Sequence, residues 1–290
     1  YGDRTVNLPD RFKQQDCAGV AQGESRQSCG RSAGGSEGAL VVGPALSAFL
    51  IVTAFLTATL SGIFGMAGGL VLMGALAFVL PVSAAFVTHG LLQLVANGWR
   101  AVLHRQHVAW RIIANYALAS AAAAGVIALV SFAPSRPLLF LLLGLVPMLV
   151  WLPRHWIQLD AAKTPHALIS GFLVTLVNLT AGVAGPLLDI FFVRTELTRH
   201  QIVATKAATQ VFSHLAKILV YGTPLLFAAQ KGAMPPFWVF ALAIPASMLG
   251  TVAGGWVLDR ISDVDFKRWT AWIVTGIGLF YLGKAAQLFL

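Results

Sequence analysis

The chain has 290 residues, of which 57% are hydrophobic and only 11% are charged, against about 25% in ordinary soluble domains. Residues 38–99 form a run of 62 residues without a single Asp, Glu, Lys or Arg. A soluble domain cannot fold around such a run, because its surface would offer nothing to water. The net charge of +9 does not indicate a nucleic-acid partner, since the basic residues fall in short loops between apolar runs, as membrane proteins place them. We therefore predict an all-α polytopic membrane protein that does not bind nucleic acid.

The first 38 residues differ in composition from the rest of the chain. They are rich in Gly, Ser, Gln and charged side chains and show no apolar periodicity, so we predict a disordered polar tail over residues 1–38. Both cysteines, Cys17 and Cys29, lie in this tail without a CxxC pair, which supports neither a metal site nor a disulfide framework. The sequence also lacks HExxH and the phosphate-binding GxxxxGKS/T motif, and we expect no enzyme activity, no metal and no cofactor.

Ten apolar runs follow the tail and leave room for eight to ten membrane segments. The runs lie near residues 41–62, 68–80, 82–99, 111–132, 137–152, 166–181, 186–193, 201–221, 236–258 and 269–289.

The second half of the apolar region repeats the first. A gapless shift of 117 residues places residues 65–70 on residues 182–187 and Gln93 on Gln210. The shift also aligns polar positions that differ in residue type, such as Asn97 and His214. We predict a duplicated unit, with a first membrane repeat over residues 39–155 and a second over residues 156–290.

Each repeat opens with a stretch in which a helix is hard to maintain. Residues 62–69 contain four glycines, and residues 182–186 combine two glycines with Pro186. We predict that each stretch joins two helical pieces into a hairpin that returns to its starting side, followed by three crossings. Only this count places all strongly basic loops on the cytoplasmic side. It makes the two repeats inverted, which is typical of transporters.

Small residues at four-residue spacing predict close helix packing in both repeats. Each repeat contains a triplet of such residues, and the two triplets align when 12 residues are added to the shift of 117. The triplets are Ala117, Ala121 and Gly125 in the first repeat and Ala246, Gly250 and Gly254 in the second.

The two breaks are candidates for an anion site. Non-helical backbone survives in lipid only where it is buried in protein or lines a wet cavity. A helix that starts at a break offers unpaired amides and a positive dipole end, so two such starts meeting near the midplane would suit an anion. Alternatively, the glycines only permit close packing or a kink. The candidate backbone positions are Gly65, Ala67, Gly68, Gly69, Gly182, Ala184 and Gly185.

A polar stripe follows each break on an otherwise apolar helix, and such a stripe is expected to point into the bundle. Two alternatives stay open: the cations nearest the helix ends, Arg100 and Lys217, snorkel to the interface, and His214 is a satisfied core histidine. The stripes are His89, Gln93, Asn97 and Arg100 in the first repeat and Lys206, Gln210, His214 and Lys217 in the second. The side chains expected to line the site are Thr88, Gln93, Thr205, Lys206, Gln210 and His214.

Asp189 lies three residues after Pro186, in the first turn of a predicted helix. The helix dipole favours a carboxylate there without any function. The carboxylate would repel an anion unless it is protonated or paired, so Asp189 is a candidate for proton coupling. Alternatively, Lys206 is a structural partner of Asp189.

The order of these motifs resembles that of the sulfite exporter TauE/SafE family of membrane transporters over about residues 44–289. The resemblance implies a two-repeat permease, usually counted as eight membrane segments, that moves small sulfur-containing anions such as sulfite or sulfonates. The family commonly has three consecutive glycines at each break, whereas this chain has Ala67, Ala184 and Pro186, so the specific substrate stays open. The residues that carry the resemblance are 65–69, 182–189, 204–207, Gln210, His214 and residues 217–218.

Together these patterns predict a secondary transporter in the inner (plasma) membrane that moves a small anion by alternating access. The family resemblance implies that this anion is sulfite or an organosulfonate. Its expected partners are this anion and the lipid bilayer, and its oligomeric state is open. Two alternatives are a non-transporting membrane scaffold or regulatory protein and a passive anion channel. A scaffold is disfavoured because it needs polar outer faces rather than polar interiors.

Overall fold

The fold is all-helical, as the sequence predicts. The structure is a computed structural model that describes residues 43–153, 158–227, 234–258, 260 and 263–290. The predicted tail over residues 1–38 and the predicted boundary between residues 155 and 156 lie outside this part. Within it there are ten α-helices and no strand. The helices are α1 (Pro44–Phe64), α2 (Met66–Val79), α3 (Val82–Leu103), α4 (Trp110–Val130), α5 (Arg136–Leu145), α6 (Thr164–Ala181), α7 (Gly185–Phe192), α8 (Arg199–Phe227), α9 (Phe237–Leu258) and α10 (Asp263–Phe289).

Each predicted apolar run corresponds to one α-helix, and the outer surface suits lipid. Of the described helices, five are long and apolar enough to cross a membrane: α1, α4, α6 and most of α9 and α10. Helices α3 and α8 are equally long but carry the polar stripes, whereas α2, α5 and α7 are short. Large apolar side chains such as Leu129 and Phe237 are 88% and 85% exposed, which water would penalise and a bilayer would not. The chain is a polytopic helical membrane protein.

Both predicted helix breaks are present. Helix α1 ends at Phe64 and α2 begins at Met66, with Gly65 between them at φ 66°. Helix α6 ends just before Gly182, which has φ 79°. These are the two glycines with positive φ in the described part of the chain, and this conformation strongly favours glycine. The shift of 117 residues had placed one on the other.

Both breaks fold the chain back on itself. A Cβ on Gly68 would collide with the Thr57 carbonyl and lie 2.5 Å from the Ser61 amide, so α2 runs back along α1. After the second break, the Ala161 amide donates a hydrogen bond of 2.8 Å to the Phe191 carbonyl. This bond brings the end of α7 beside the segment that leads into α6. Each break is therefore the tip of a hairpin, as predicted.

The most extensive helix contacts cross between the two halves. Helix α1 packs on α9, α6 on α4, α3 on α8, and α5 on α10. If the first five helices are exchanged for the last five, the pair α1–α9 becomes α6–α4, and the other two pairs map onto themselves. Neither half therefore forms a separate bundle, since each long helix pairs chiefly with one from the other half.

The close contact of α1 with α9 uses glycines on both helices. A Cβ on Gly254 would lie 2.7 Å from the Cα of Gly62, and one on Gly250 would strike the Phe55 carbonyl. The prediction of close packing from the second small-residue triplet is confirmed at these two glycines.

The corresponding prediction for the first triplet is wrong. Ala121 is exposed, and a Cβ on Gly125 would meet nothing within 4 Å. Helix α4 instead packs through its other face, where Gly171 of α6 lies against the Tyr116 backbone. Small residues at this spacing are equally tolerated on a face toward lipid, so spacing alone does not tell which face is packed.

We predict opposite effects for the same substitution at two adjacent glycines of α9. Gly254→Ala should lower the free energy of unfolding by about 1–3 kcal/mol, because its Cβ would meet backbone atoms of α1. The Cβ added by Gly255→Ala would meet no atom within 4 Å. This substitution should leave the free energy of unfolding unchanged or raise it by up to about 1 kcal/mol, because alanine has the higher helix propensity. Unfolding of both variants in detergent checks this. Equal losses would mean that α1 and α9 are not in backbone contact.

Candidate functional site

A small cavity lies between the two breaks. It is bordered by the polar faces of α3 and α8, by α1 and α6 just before the breaks, and by the starts of α2 and α7. Its volume, counted as the space open to the centre of a water-sized sphere, is about 30 Å³, enough for two or three waters. The lining residues are Ser61, Gly65, Gly69, His89, Gln93, Asn97, Asn178, Val183, Ala184, Gly185, Gln210 and His214.

Six of the seven polar side chains in this lining form pairs that the shift of 117 residues relates, and His89 is the exception. Each member of a pair occupies the same sequence position relative to its own break, so each half contributes one side chain to every pair. The pairs are Ser61 and Asn178, Gln93 and Gln210, and Asn97 and His214.

Several residues that the sequence singled out meet at this cavity. Both break segments contribute backbone, and both polar stripes contribute side chains. The predicted site residues found in the lining are Gly65, Gly69, Gln93, Ala184, Gly185, Gln210 and His214.

Other predicted site residues lie outside the lining. Ala67 and Thr88 are buried elsewhere, Gly68 packs on α1, and Gly182 contributes its carbonyl to a neighbouring contact described below. The Thr205 hydroxyl accepts a hydrogen bond of 3.0 Å from the Ala109 amide at the start of α4.

Lys206 forms an ion pair with Asp189, outside the cavity lining. Their side chains are 27% and 33% exposed, so the pair is a partly open contact of modest energy. This geometry agrees with the alternative that Lys206 is a structural partner of Asp189. The roles of Lys206 as an anion ligand and of Asp189 in coupling stay predictions.

Asn178 is a lining residue that sequence reasoning missed. It is 2% exposed, and neither its amide nitrogen nor its amide oxygen has a hydrogen-bond partner. Such a group is costly inside a protein unless a water or a ligand in the cavity pairs with it. The available signal was its position: Asn178 and Ser61 both precede the positive-φ glycine of their break by four residues. Ser61 and Val183 were also missed.

A chain of hydrogen bonds joins the two breaks. Lys217 is fully buried and donates to the Gly182 carbonyl at 2.6 Å and to His89 Nδ1 at 3.2 Å. His89 Nε2 lies 3.0 Å from the Gly69 carbonyl. Because a carbonyl oxygen only accepts, Nε2 carries the ring proton and Nδ1 is the acceptor. Lys217 does not snorkel, since α8 continues for ten residues beyond it, to Phe227.

The electrostatics of the cavity suit a negative ligand. Among the described residues, no acidic side chain lines it. Helices α2 and α7 begin at its wall, so their positive dipole ends lie there. The Lys217 ammonium is one hydrogen bond away, through His89.

A cluster of hydroxyl groups fixes the helices around the cavity. Ser213 of α8 lies 2.6 Å from the Tyr116 hydroxyl of α4 and 2.8 Å from the Thr175 hydroxyl of α6. Thr175 is also 2.6 Å from the Ser120 hydroxyl of α4. Ser213 is adjacent to His214, and Thr175 lies one turn before Asn178, so the cluster holds both lining residues in place.

We predict that two equally buried serines differ in their contribution to stability. Ser213 and Ser170 are each 1% exposed, but the Ser170 hydroxyl has no partner. Ser213→Ala should cost about 1–3 kcal/mol of unfolding free energy, because it leaves buried hydroxyls unpaired. Ser170→Ala should cost less than about 0.5 kcal/mol or stabilise. Thermal unfolding in detergent checks this, and similar losses would show that the cluster does not hold the helices together.

Comparison with known proteins agrees with the geometry. The family model for the sulfite exporter TauE/SafE matches residues 50–281, a span that contains both breaks and the whole cavity lining. No curated protein and no solved structure matches the chain. The match extends over most of the sequence. The chain therefore belongs to the sulfite exporter TauE/SafE family.

Proposed function

We propose that this protein is a secondary transporter for a small anion, sulfite or an organosulfonate, and that the cavity between the breaks is its substrate site. Asn178 is the observation that carries the proposal. Its buried amide is unpaired, on a residue that lines a cavity between two helix starts. An anion would accept hydrogen bonds from the amide nitrogen and from these helix starts.

The size of the cavity favours a small substrate. About 30 Å³ for the centres of water-sized spheres fits a few heavy atoms, such as the four of sulfite. A bulkier sulfonate requires the walls to move apart. The cavity therefore favours a compact oxyanion over a long organic chain.

The way in which the halves share the site supports transport by alternating access. Each half supplies one member of every polar pair in the lining, and the helix pairing is unchanged when the halves are exchanged. Both observations support two inverted repeats. Rocking of one repeat against the other would expose the cavity first to one side of the plasma membrane and then to the other.

The buried stripes also separate transport from the alternatives. His89, Gln93 and His214 are 1%, 8% and 2% exposed, so they are not available to a partner protein that a scaffold would bind. A passive channel would show unitary currents in a planar bilayer, whereas the proposed transporter shows none.

Asn178→Asp tests the sign of the charge that the cavity takes. The substitution conserves size but adds a carboxylate, which should weaken anion binding at least about 100-fold through like-charge repulsion. Asn115→Asp is the matched control, because Asn115 lies on α4 outside the lining. The measurements are anion-dependent shifts of the unfolding midpoint and flux into proteoliposomes, with sulfite, thiosulfate and methanesulfonate.

Asn178→Leu removes the amide without adding a charge and should weaken anion binding about 10-fold. This second variant keeps the proposal testable if Asn178→Asp misfolds. Unchanged binding in both Asn178 variants would contradict the proposed site. The same assay on Lys206→Ala tests whether Lys206 is also an anion ligand.

A further inference from the structure

His214 has one ring nitrogen in use and one without a partner. Its Nε2 lies 3.2 Å from Gln210 Oε1, and its Nδ1 is buried with no hydrogen-bond partner. Because an amide oxygen only accepts, Nε2 carries the proton of the neutral ring. Nδ1 is then a bare lone pair on a residue that lines the cavity. A lone pair repels an anion, whereas a protonated Nδ1 would donate to it.

The groups around His214 determine when protonation of its Nδ1 is favourable. The His89 ring of α3 lies 5.5 Å away, edge to face, and Lys217 of α8 holds its ammonium against His89. From α4, the Tyr116 hydroxyl contacts the adjacent Ser213, and α6 presents the neutral Asn178. Among the groups in these contacts, Lys217 is the cation, and among the described residues lining the cavity none is acidic.

In the empty cavity, a second positive charge on His214 would be repelled by Lys217 and poorly solvated. An anion in the cavity reverses this balance, because it attracts the new charge and accepts the new hydrogen bond. Protonation of His214 and binding of an anion therefore favour each other.

We propose that each anion binds together with one proton, which His214 takes up at Nδ1 and donates in a hydrogen bond to the anion. This inference rests on the proposed function of the cavity. The proton comes from the water on the side where the anion enters and returns to water when the anion leaves. A monoanion with its proton leaves the charge of the site unchanged, so the transport cycle is electroneutral. The coupling ion is H⁺, and its carrier is His214 rather than Asp189.

Two measurable consequences follow from the linkage between proton and anion, which must be reciprocal. Binding should take up about one proton per anion at pH values where the empty site is neutral at His214. Over the same range, the dissociation constant of the anion should fall about tenfold for each unit by which the pH is lowered.

The experiment uses anions that cannot carry the proton themselves. Chlorate and methanesulfonate are permanent monoanions between pH 6 and 8, and chlorate has the pyramidal shape of sulfite. Calorimetric titration of the full chain in detergent, in two buffers of different ionisation enthalpy, gives the number of protons taken up. We expect about one for the native protein and for the control His200→Asn, an exposed histidine of the same helix.

His214→Asn should bind either anion with no proton uptake and with an affinity independent of pH. It places in the second half the residue that Asn97 supplies in the first. Proton uptake that persists in this variant would overturn the assignment to His214.

The native protein alone also tests the inference. Anion binding without proton uptake would overturn the inference and leave the anion site standing. Binding of sulfite with no binding of chlorate or methanesulfonate would overturn it as well, because the proton would then travel on the anion. Failure of every anion, sulfite included, to bind at any pH would instead contradict the proposed function.

Discussion

The structure depends on how backbone carbonyls at the two breaks are satisfied inside a membrane. Lipid offers no hydrogen-bond donors, so each freed carbonyl must find one in the protein. The Gly65 carbonyl accepts from the Ser61 hydroxyl at 2.6 Å, and the Gly182 carbonyl accepts from Lys217. His89 contacts the carbonyl of Gly69, which lies in the first turn of α2. Because Lys217 also donates to His89, the two breaks are held at a fixed separation. The cavity is the space that this arrangement leaves between them.

The same contacts make the cavity electropositive. An ammonium group buried without an acidic partner is costly, and here the cost is limited by two hydrogen bonds and by the Phe86 ring, whose centroid is 5.3 Å from Nζ. An anion nearby would compensate the charge more fully. The buried charge of Lys217 thus lowers the stability of the empty protein and would raise its affinity for an anion.

Sequence reasoning reached the helical class and both hairpins because glycine breaks and apolar runs are local signals. It also placed Gln93, Gln210 and His214 on inward faces, since helical spacing defines a face. It missed Asn178 because a single amide in an apolar run has no periodicity. It also left open the depth of Lys217 and the partner of Lys206, because these depend on where helix ends lie in three dimensions. The lipid-facing Gly125 shows the same limit, since spacing does not identify the neighbouring helix.

The central claim is that an anion binds between the two breaks. Selenite has the shape and charge of sulfite, and selenium scatters X-rays anomalously, so crystals grown with selenite locate the anion directly. We predict one strong anomalous peak between the starts of α2 and α7, within hydrogen-bond distance of the Asn178 amide. A peak at the Lys206–Asp189 pair or in a basic loop, with none in the cavity, would contradict the claim.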